Sequence, residues 1–290
     1  MTAIRLGLLG NGIAHSRMPR LQHYLGQLTQ TDINYILIDA LNKNAFDPVA
    51  QINKTITEGF RGVNVTHPFK QKIYPLVDSP LIKGHELIGS YNTLLFRDSH
   101  ILGANTDYSG FIKAYFNKFG KRSPGRVFIC GAGGVGRAVA MGLVKTGCKY
   151  YSIFDTRQSQ SESLASLLEQ QDVSVDVVTK QNLADSIVNA DGLVNCTATG
   201  MHRSPGSAIN LALVGNQQWA FDAVYTPLDT EFMAHCREAG MQCLSGFDLW
   251  FFQGLDAFQI FTGTELTPTD SLKAEALSWL DLFLDFNCRQ

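Results

Sequence analysis

The stretch RVFICGAGGVGRAVAMGLVKTG, residues 126–147, reads as an apolar strand, a glycine turn and a helix, in that order. Arg126 to Cys130 supplies the strand, and Gly147 stops the helix. Gly131, Gly133 and Gly136 fall at the spacing at which the first glycine permits a tight turn. The second lets the backbone approach an anion, and the third allows close packing of the helix. Ala132, Gly134 and Val135 complete the turn, and the free N–H groups of the helix start face the same anion. Such spacing alone is a weak signal. It gains weight from Asp155, which closes the next apolar strand, YYSIFD, 19 residues beyond Gly136. An acidic side chain there accepts hydrogen bonds from the hydroxyls of an adenine ribose. The same carboxylate repels the extra phosphate of NADP, whereas Arg157 attracts it, so NAD is the favoured cofactor and NADP a possible one.

Working outward, RVFIC is followed by YYSIFD, VSVDVVT, GLVNCTA and WAFDAVY with helical segments between them, the order of a doubly wound parallel sheet. Upstream, IRLGLLG, a helix through RLQHYLGQL, NYILIDA, a helix near FDPVAQINKTI and GFRGVNVT alternate in the same manner. SYNTLLF and HILGANT then flank RDSH, whose polar residues suit a hairpin, so this first sheet is expected to be mixed. From Asp107, apolar residues at Phe111, Ala114, Tyr115 and Phe119 predict an amphipathic helix that leads from one domain to the next. The last part, 246–290, holds two helical runs and no clear strand, and is expected to pack back on the first domain. The expected fold class is α/β with two domains. A mixed α/β substrate-binding domain takes residues 1–106, completed by 246–290, and a Rossmann dinucleotide domain takes 107–245.

With 290 residues and 45% apolar composition, the chain can bury a large core. A formal charge of −2 and the lack of a Lys/Arg run exclude an electrostatic footprint for nucleic acid or an anionic membrane surface. A small molecule is the expected partner. Neither a signal peptide nor a stretch approaching the roughly 20 apolar residues of a membrane span is read, so a soluble, cytoplasmic protein is expected, as monomer or homodimer. Cys130, Cys148, Cys196, Cys236, Cys243 and Cys288 show neither a C-x-x-C pair nor zinc spacing. Reduced, partly buried thiols and no metal site are expected.

Several strings occur in one order: Gly10-Asn-Gly-Ile-Ala-His-Ser16, Asn64-Val-Thr66-His-Pro68-Phe-Lys70, Tyr91-Asn92-Thr93, Asn105-Thr106-Asp107, the glycine turn, Asn195-Cys-Thr-Ala-Thr-Gly200-Met201, Val224-Tyr225-Thr-Pro227 and Gln253. Over nearly the whole chain this set resembles the shikimate/quinate dehydrogenase family. The resemblance implies a cleft between a substrate domain and a Rossmann domain, with a cyclic hydroxy acid held beside a nicotinamide. It implies that Lys70 and Asp107 are the catalytic pair, since oxidising a secondary alcohol requires a group to take the hydroxyl proton as hydride leaves. It implies further that Ser16, and the position now occupied by Met18, meet the substrate carboxylate, that Thr66, Asn92 and Gln253 reach ring hydroxyls, and that Tyr225 lines the cleft. Thr197, Met201 and Gly246 would lie against the cofactor, Met201 on the nicotinamide face. Read without the resemblance, Lys70 is a solvated lysine, Asp107 a helix cap, Ser16, Thr66 and Asn92 turn and cap residues, and Gln253 part of an exposed helix face. Tyr225 and Met201 then fill core.

Two positions depart from the family pattern. Where a second Ser or Thr is usual before a proline, this chain has Met18, and a lost hydrogen bond to a carboxylate costs about 1.5–3 kcal/mol. Tyr91 replaces a small aliphatic residue and is expected to reshape the pocket rim. The alternatives left open are a dehydrogenase for a different cyclic hydroxy acid and a non-catalytic sensor of dinucleotide and acid.

Overall fold

The computed structural model describes residues 3–41 and 45–281 and divides the chain into two units, Met1–Thr106 with Phe251–Gln290, and Asp107–Trp250. In the first unit the order is β1 (Ile4–Gly10), α1 (Met18–Leu28), β2 (Ile33–Asp39), α2 (Pro48–Thr57), β3 (Gly62–Val65), the two-residue β4 (Ser79–Pro80), β5 (Thr93–Arg97) and β6 (His100–Ala104). The sheet runs β2-β1-β3-β5-β6-β4. β1 is parallel to β2 and β3, while β5 is antiparallel to β3 and β6, so the sheet is mixed. Asp98 and Ser99 join β5 to β6 with φ of 50° and 63°. Positive φ at both central positions is the turn whose twist matches a two-stranded ribbon.

The helices of this unit start where their residues dictate. Pro19 near the start of α1 and Pro48 at the start of α2 fix φ where no N–H is needed. The Asp47 carboxylate also accepts the Val49 amide at 2.8 Å. Leu9, Ile38, Ile52, Val63, Val65, Phe69 and Leu94 form the core against one face of the sheet.

The second unit contains α3 (Thr106–Phe119), whose first residue closes the first unit, followed by β7 (Arg126–Cys130), α4 (Gly134–Lys145), β8 (Tyr150–Phe154), α5 (Gln158–Glu169), β9 (Ser174–Val177) and α6 (Leu183–Val188). It continues through β10 (Gly192–Asn195), β11 (Trp219–Asp222), α7 (Glu231–Glu238), β12 (Gln242–Leu244) and the start of α8 (Gly246–Thr262); α9 (Asp270–Asp281) returns to the first unit. All strands are parallel in the order β12-β11-β10-β7-β8-β9, the doubly wound Rossmann arrangement. β10 and β11 are buried along their whole length, as central strands of a sheet covered on both faces must be. The chain reverses its winding between β7 and β10, and ligands of such sheets sit outside the carboxyl ends at that point.

Two details differ from the pattern read in the sequence. The sixth strand, β12, has only three residues, too few for an alternation to be visible. The unit division falls inside α8, after Trp250, because the first turns of that helix belong with the second sheet.

Candidate active site

The glycine turn follows β7 at the switch point. Gly131 has φ +98°, a region L side chains avoid, and its N–H donates to the Phe154 carbonyl at 2.8 Å. A Cβ on Gly136 would collide with the Gly131 carbonyl oxygen, so α4 can start this close to the turn only without one. Gly133 differs from both. Its φ of −75° and ψ of −165° suit any residue, and a Cβ there would meet nothing within 4 Å. What glycine preserves at 133 is space in front of the α4 amino terminus, the cradle a pyrophosphate needs, so this turn fits a dinucleotide. Gly134 and Val135 open the helix beside that space, and Val135 is half-buried.

Asp155 follows β8 and ties the turn together. Its Oδ2 accepts the Ala132 amide and its Oδ1 the Arg157 amide, each at 2.9 Å. Each oxygen retains a lone pair, enough for a ribose hydroxyl. Arg157 Nε lies 3.9 Å from Asp155 Oδ1, but its side chain is 71% exposed. An exposed pair of this kind contributes little to stability, leaving the guanidinium available to a phosphate.

Next to the turn, at the carboxyl end of β10, lies the segment Asn195–Met201. Thr197 donates to Asn195 Oδ1 at 2.7 Å and accepts the Thr199 amide at 3.1 Å; Met201 is half-buried and bridges to Thr199 and Ser204. Tyr225 stacks on Trp250 with ring centroids 5.8 Å apart, and Gly246 is so close to Ala223 that a Cβ would lie 2.6 Å from its carbonyl oxygen. Asp107, in the first turn of α3, is 3% exposed; burial pushes the Cys196 thiol up, and Asp222, Cys130 and, least, Asp107 add to that rise.

The first unit gathers a second set of polar groups. Asn92 Oδ1 accepts from the Thr106 amide at 2.7 Å and from the hydroxyls of Thr106 and Thr93 at 3.1 and 3.0 Å. Asn92 Nδ2 donates to Gln253 Oε1 at 3.2 Å, and the same oxygen lies 3.3 Å from Thr106 Oγ1 as an alternative acceptor for its one proton. Asn64 donates to Thr93 Oγ1 at 3.0 Å and accepts from the buried Tyr35 hydroxyl at 2.8 Å. Burial is the cause that raises the Tyr35 phenol far above its ordinary value, so it remains a donor. Sequence reasoning assigned Asn92 and Gln253 to this site. It missed Tyr35, Thr93 and Thr106, although a tyrosine within the apolar strand NYILIDA, needing a partner for its hydroxyl, was a readable signal.

Lys70 follows β3 and is 8% exposed, so it is not the solvated lysine that its residue type suggests. Thr66 is half-buried, and its methyl packs on the space a Cβ would take at Gly10. Ser16 Oγ accepts the Met18 amide at 3.3 Å. Met18 itself is 4% exposed, with its sulfur 3.5 Å from Gln22 Nε2 and close to Gly254. The expected role of Tyr91 on a pocket rim is corrected. Its ring is 2% exposed, stacks on Tyr74 at 5.2 Å and lies against Gly103, because only glycine at 103 leaves room for it in the core.

A cavity of about 230 Å³ lined by Arg126, Tyr150, Ser152, Asp176 and Asp185 lies at the amino ends of β7–β9, the end of the sheet opposite the glycine turn. Among the described residues no group of three His, Cys, Asp or Glu is arranged to hold a metal ion, and the five described cysteines are free; Cys288 lies outside them. No helix among the described residues is long and apolar enough to cross a membrane.

Residues 8–94 match the family model of the shikimate dehydrogenase substrate binding domain, and residues 105–207 match that of the alanine dehydrogenase/PNT C-terminal domain. A quinate/shikimate dehydrogenase (NAD(+)) of Corynebacterium glutamicum strain R is 34% identical over 268 residues, 91% of this chain and 94% of the relative. The chain belongs to the shikimate/quinate dehydrogenase family. Members of this family divide in their cofactor. A shikimate dehydrogenase (NADP(+)) of Arthrobacter sp. FB24 is also 34% identical, over 94% of each chain. Among solved structures of the family, quinate dehydrogenase from Corynebacterium glutamicum in complex with NAD superposes with a TM-score of 0.86 at 32% identity, covering 96% of this chain and 99% of the other. Shikimate 5-dehydrogenase from Thermus thermophilus, in complex with NADP(H) and shikimate, gives 0.78 at 28% identity over 96% and 99%.

Proposed function

We propose that this family member catalyses reversible hydride transfer between a nicotinamide dinucleotide and a ring hydroxyl of shikimate or quinate, with the corresponding 3-dehydro acid as the ketone. The observation that carries this reading is the glycine turn with an empty-space glycine at 133 and a carboxylate at 155 that retains acceptor capacity. When bound, the dinucleotide supplies the hydride acceptor or donor. The chain does the rest. Lys70 and Asp107 are the pair assigned to the hydroxyl proton, with Lys70 Nζ taking it as hydride leaves and returning it in reverse. Asn92, Thr66 and Gln253 orient ring hydroxyls, and the bonds that Thr93, Thr106 and Asn64 make around Asn92 keep its amide from rotating. Ser16 holds the carboxylate. Gly131 through Val135, Thr197, Met201 and Gly246 hold the dinucleotide, and Tyr225 lines the substrate side.

Initial rates with quinate and with shikimate, each with NAD and with NADP, test the proposal on purified protein. Reduction of NAD with either acid is the expected result, and silence with both acids in protein shown to bind dinucleotide would remove it. The buried Met18 favours a second reading, a different cyclic hydroxy acid, because it offers no hydroxyl to a carboxylate. A panel of cyclic alcohols with and without the acid group separates the two.

NAD is the preferred cofactor in this reading, since an extra phosphate would face the Asp155 carboxylate. Asp155→Asn removes that charge and leaves Arg157 in place. The ratio of kcat/KM for NADP to that for NAD is expected to rise about tenfold or more in this variant, the effect of ~1.4 kcal/mol. An unchanged ratio would show that Asp155 serves only the backbone of the turn. A cytoplasmic monomer or homodimer completes the proposal, and light scattering of the purified protein reports which of the two it is.

A further inference from the structure

We propose that Asp222 is a positioning residue for the nicotinamide half of the dinucleotide site, acting through Asn195 on the segment Thr197–Met201. This rests on the dinucleotide reading above and adds to it a residue that never touches the ligand. The segment lies directly beside the glycine turn: a Cβ on Gly131 would be 2.9 Å from the Cys196 carbonyl oxygen and 3.0 Å from Thr197 Cγ2. No regular strand or helix holds it; the Gly200 and Met201 amides bond to the Ser204 and Ala198 carbonyls, while the Thr197 amide and both backbone groups of Thr199 find side-chain partners.

Asn195 supplies most of those partners. Its Oδ1 accepts the Thr197 amide at 3.0 Å and the Thr197 hydroxyl at 2.7 Å, and its Nδ2 donates to the Thr199 carbonyl at 3.1 Å. An amide can serve both ends of the segment only if its own orientation is fixed. Asp222 fixes it by accepting from Asn195 Nδ2 at 2.9 Å through Oδ1. The same Oδ1 accepts the Val224 amide at 3.0 Å, and Oδ2 accepts the Thr230 hydroxyl at 2.6 Å. Asp222 is fully buried, and Asn195 and Thr230 are each 1% exposed. Thr230 closes the arrangement from the other side. Its hydroxyl caps α7 by accepting the Met233 amide at 3.2 Å, and its methyl would be 3.2 Å from a Cβ on Gly200, whose φ is +112°. Asp222 therefore joins the ends of two adjacent strands, β10 and β11, and the start of α7 to one segment beside the turn.

Burial, the largest cause, pushes the Asp222 carboxyl up to about 6, against the hydrogen bonds from Thr230, Val224 and Asn195. A carboxyl raised in the fold contributes stability at pH below its unfolded value and loses it as pH rises through the folded one. Near neutral pH the charge itself is thus no stabiliser, and Asp222→Asn is expected to fold. Its Oδ1 keeps the bonds from Asn195 and Val224, so it is the conservative variant.

The test compares binding of NAD with that of ADP-ribose, which lacks only the nicotinamide, by calorimetry on Asp222→Ala, Asp222→Asn and Thr230→Val. Asp222→Ala is expected to weaken NAD binding about tenfold or more while leaving ADP-ribose unchanged, as losing a hydrogen bond to a charged group would. Asp222→Asn should restore most of that loss, and Thr230→Val should fall between them. In steady state, KM for NAD should rise while KM for the acid holds. If Asp222→Ala does not fold, the other two variants carry the comparison. Equal losses for NAD and ADP-ribose, or no loss of either in a folded variant, would overturn the proposal. A wild-type protein that fails to bind ADP-ribose would instead overturn the dinucleotide reading.

Discussion

Lys70→Ala is expected to lower turnover by about two to four orders of magnitude, the usual contribution of a positioned acid or base. Its side chain lies in the first unit and is 8% exposed, whereas the glycine turn belongs to the second. The dissociation constant for NAD should therefore stay within about twofold, since no contact of the dinucleotide cradle is removed. Truncating an exposed lysine would leave turnover unchanged as well, because surface substitutions generally change little. Single-turnover rates on the NAD complex would measure the chemical step directly. A near-normal rate would take Lys70 out of proton transfer and leave its burial as a packing fact.

The second large effect is at the turn. Gly133→Val should weaken dinucleotide binding about a hundredfold, the ~2.7 kcal/mol expected when added methyls force a well-fitted group aside. Thermal stability should be nearly unchanged, because the φ and ψ of residue 133 suit valine and a Cβ there meets nothing of the protein within 4 Å. Gly136→Ala offers the contrast. Its added carbon collides with the Gly131 carbonyl, so both melting temperature and binding should fall. If Gly133→Val melted lower while binding NAD normally, the space in front of α4 would not be a ligand cradle.

Much of this was legible from residues 126–147 and the strands that follow, because Gly131 and Gly136 answer to local steric demands, Gly133 keeps their spacing, and the apolar runs are separated by clear helical segments. The mixed first sheet was legible too, since Asp98 and Ser99 stand where a two-residue turn needs tolerant residues. What escaped the sequence depends on contacts between distant segments. Tyr91 looked like a rim residue until Gly103, on a neighbouring strand, was seen to make room for it in the core. Asp222 ends an apolar strand, but its importance appears only when Asn195 and Thr230 converge on it. The three-residue β12 left too little sequence to carry any periodicity.

The division of the chain inside α8 also dictates an order of assembly during synthesis. Residues 107–250 form an uninterrupted unit and can close their sheet once that stretch has emerged. The first unit, although made earlier, must wait for the far end of α8. Gly62 on β3 is covered by Phe261, and Gly254 fits against Leu21 and Met18 on α1, contacts that span some two hundred residues. The amino-terminal segment is therefore the part of a nascent chain most exposed to misassociation, and the cost of bringing its ends together falls on the last steps of folding.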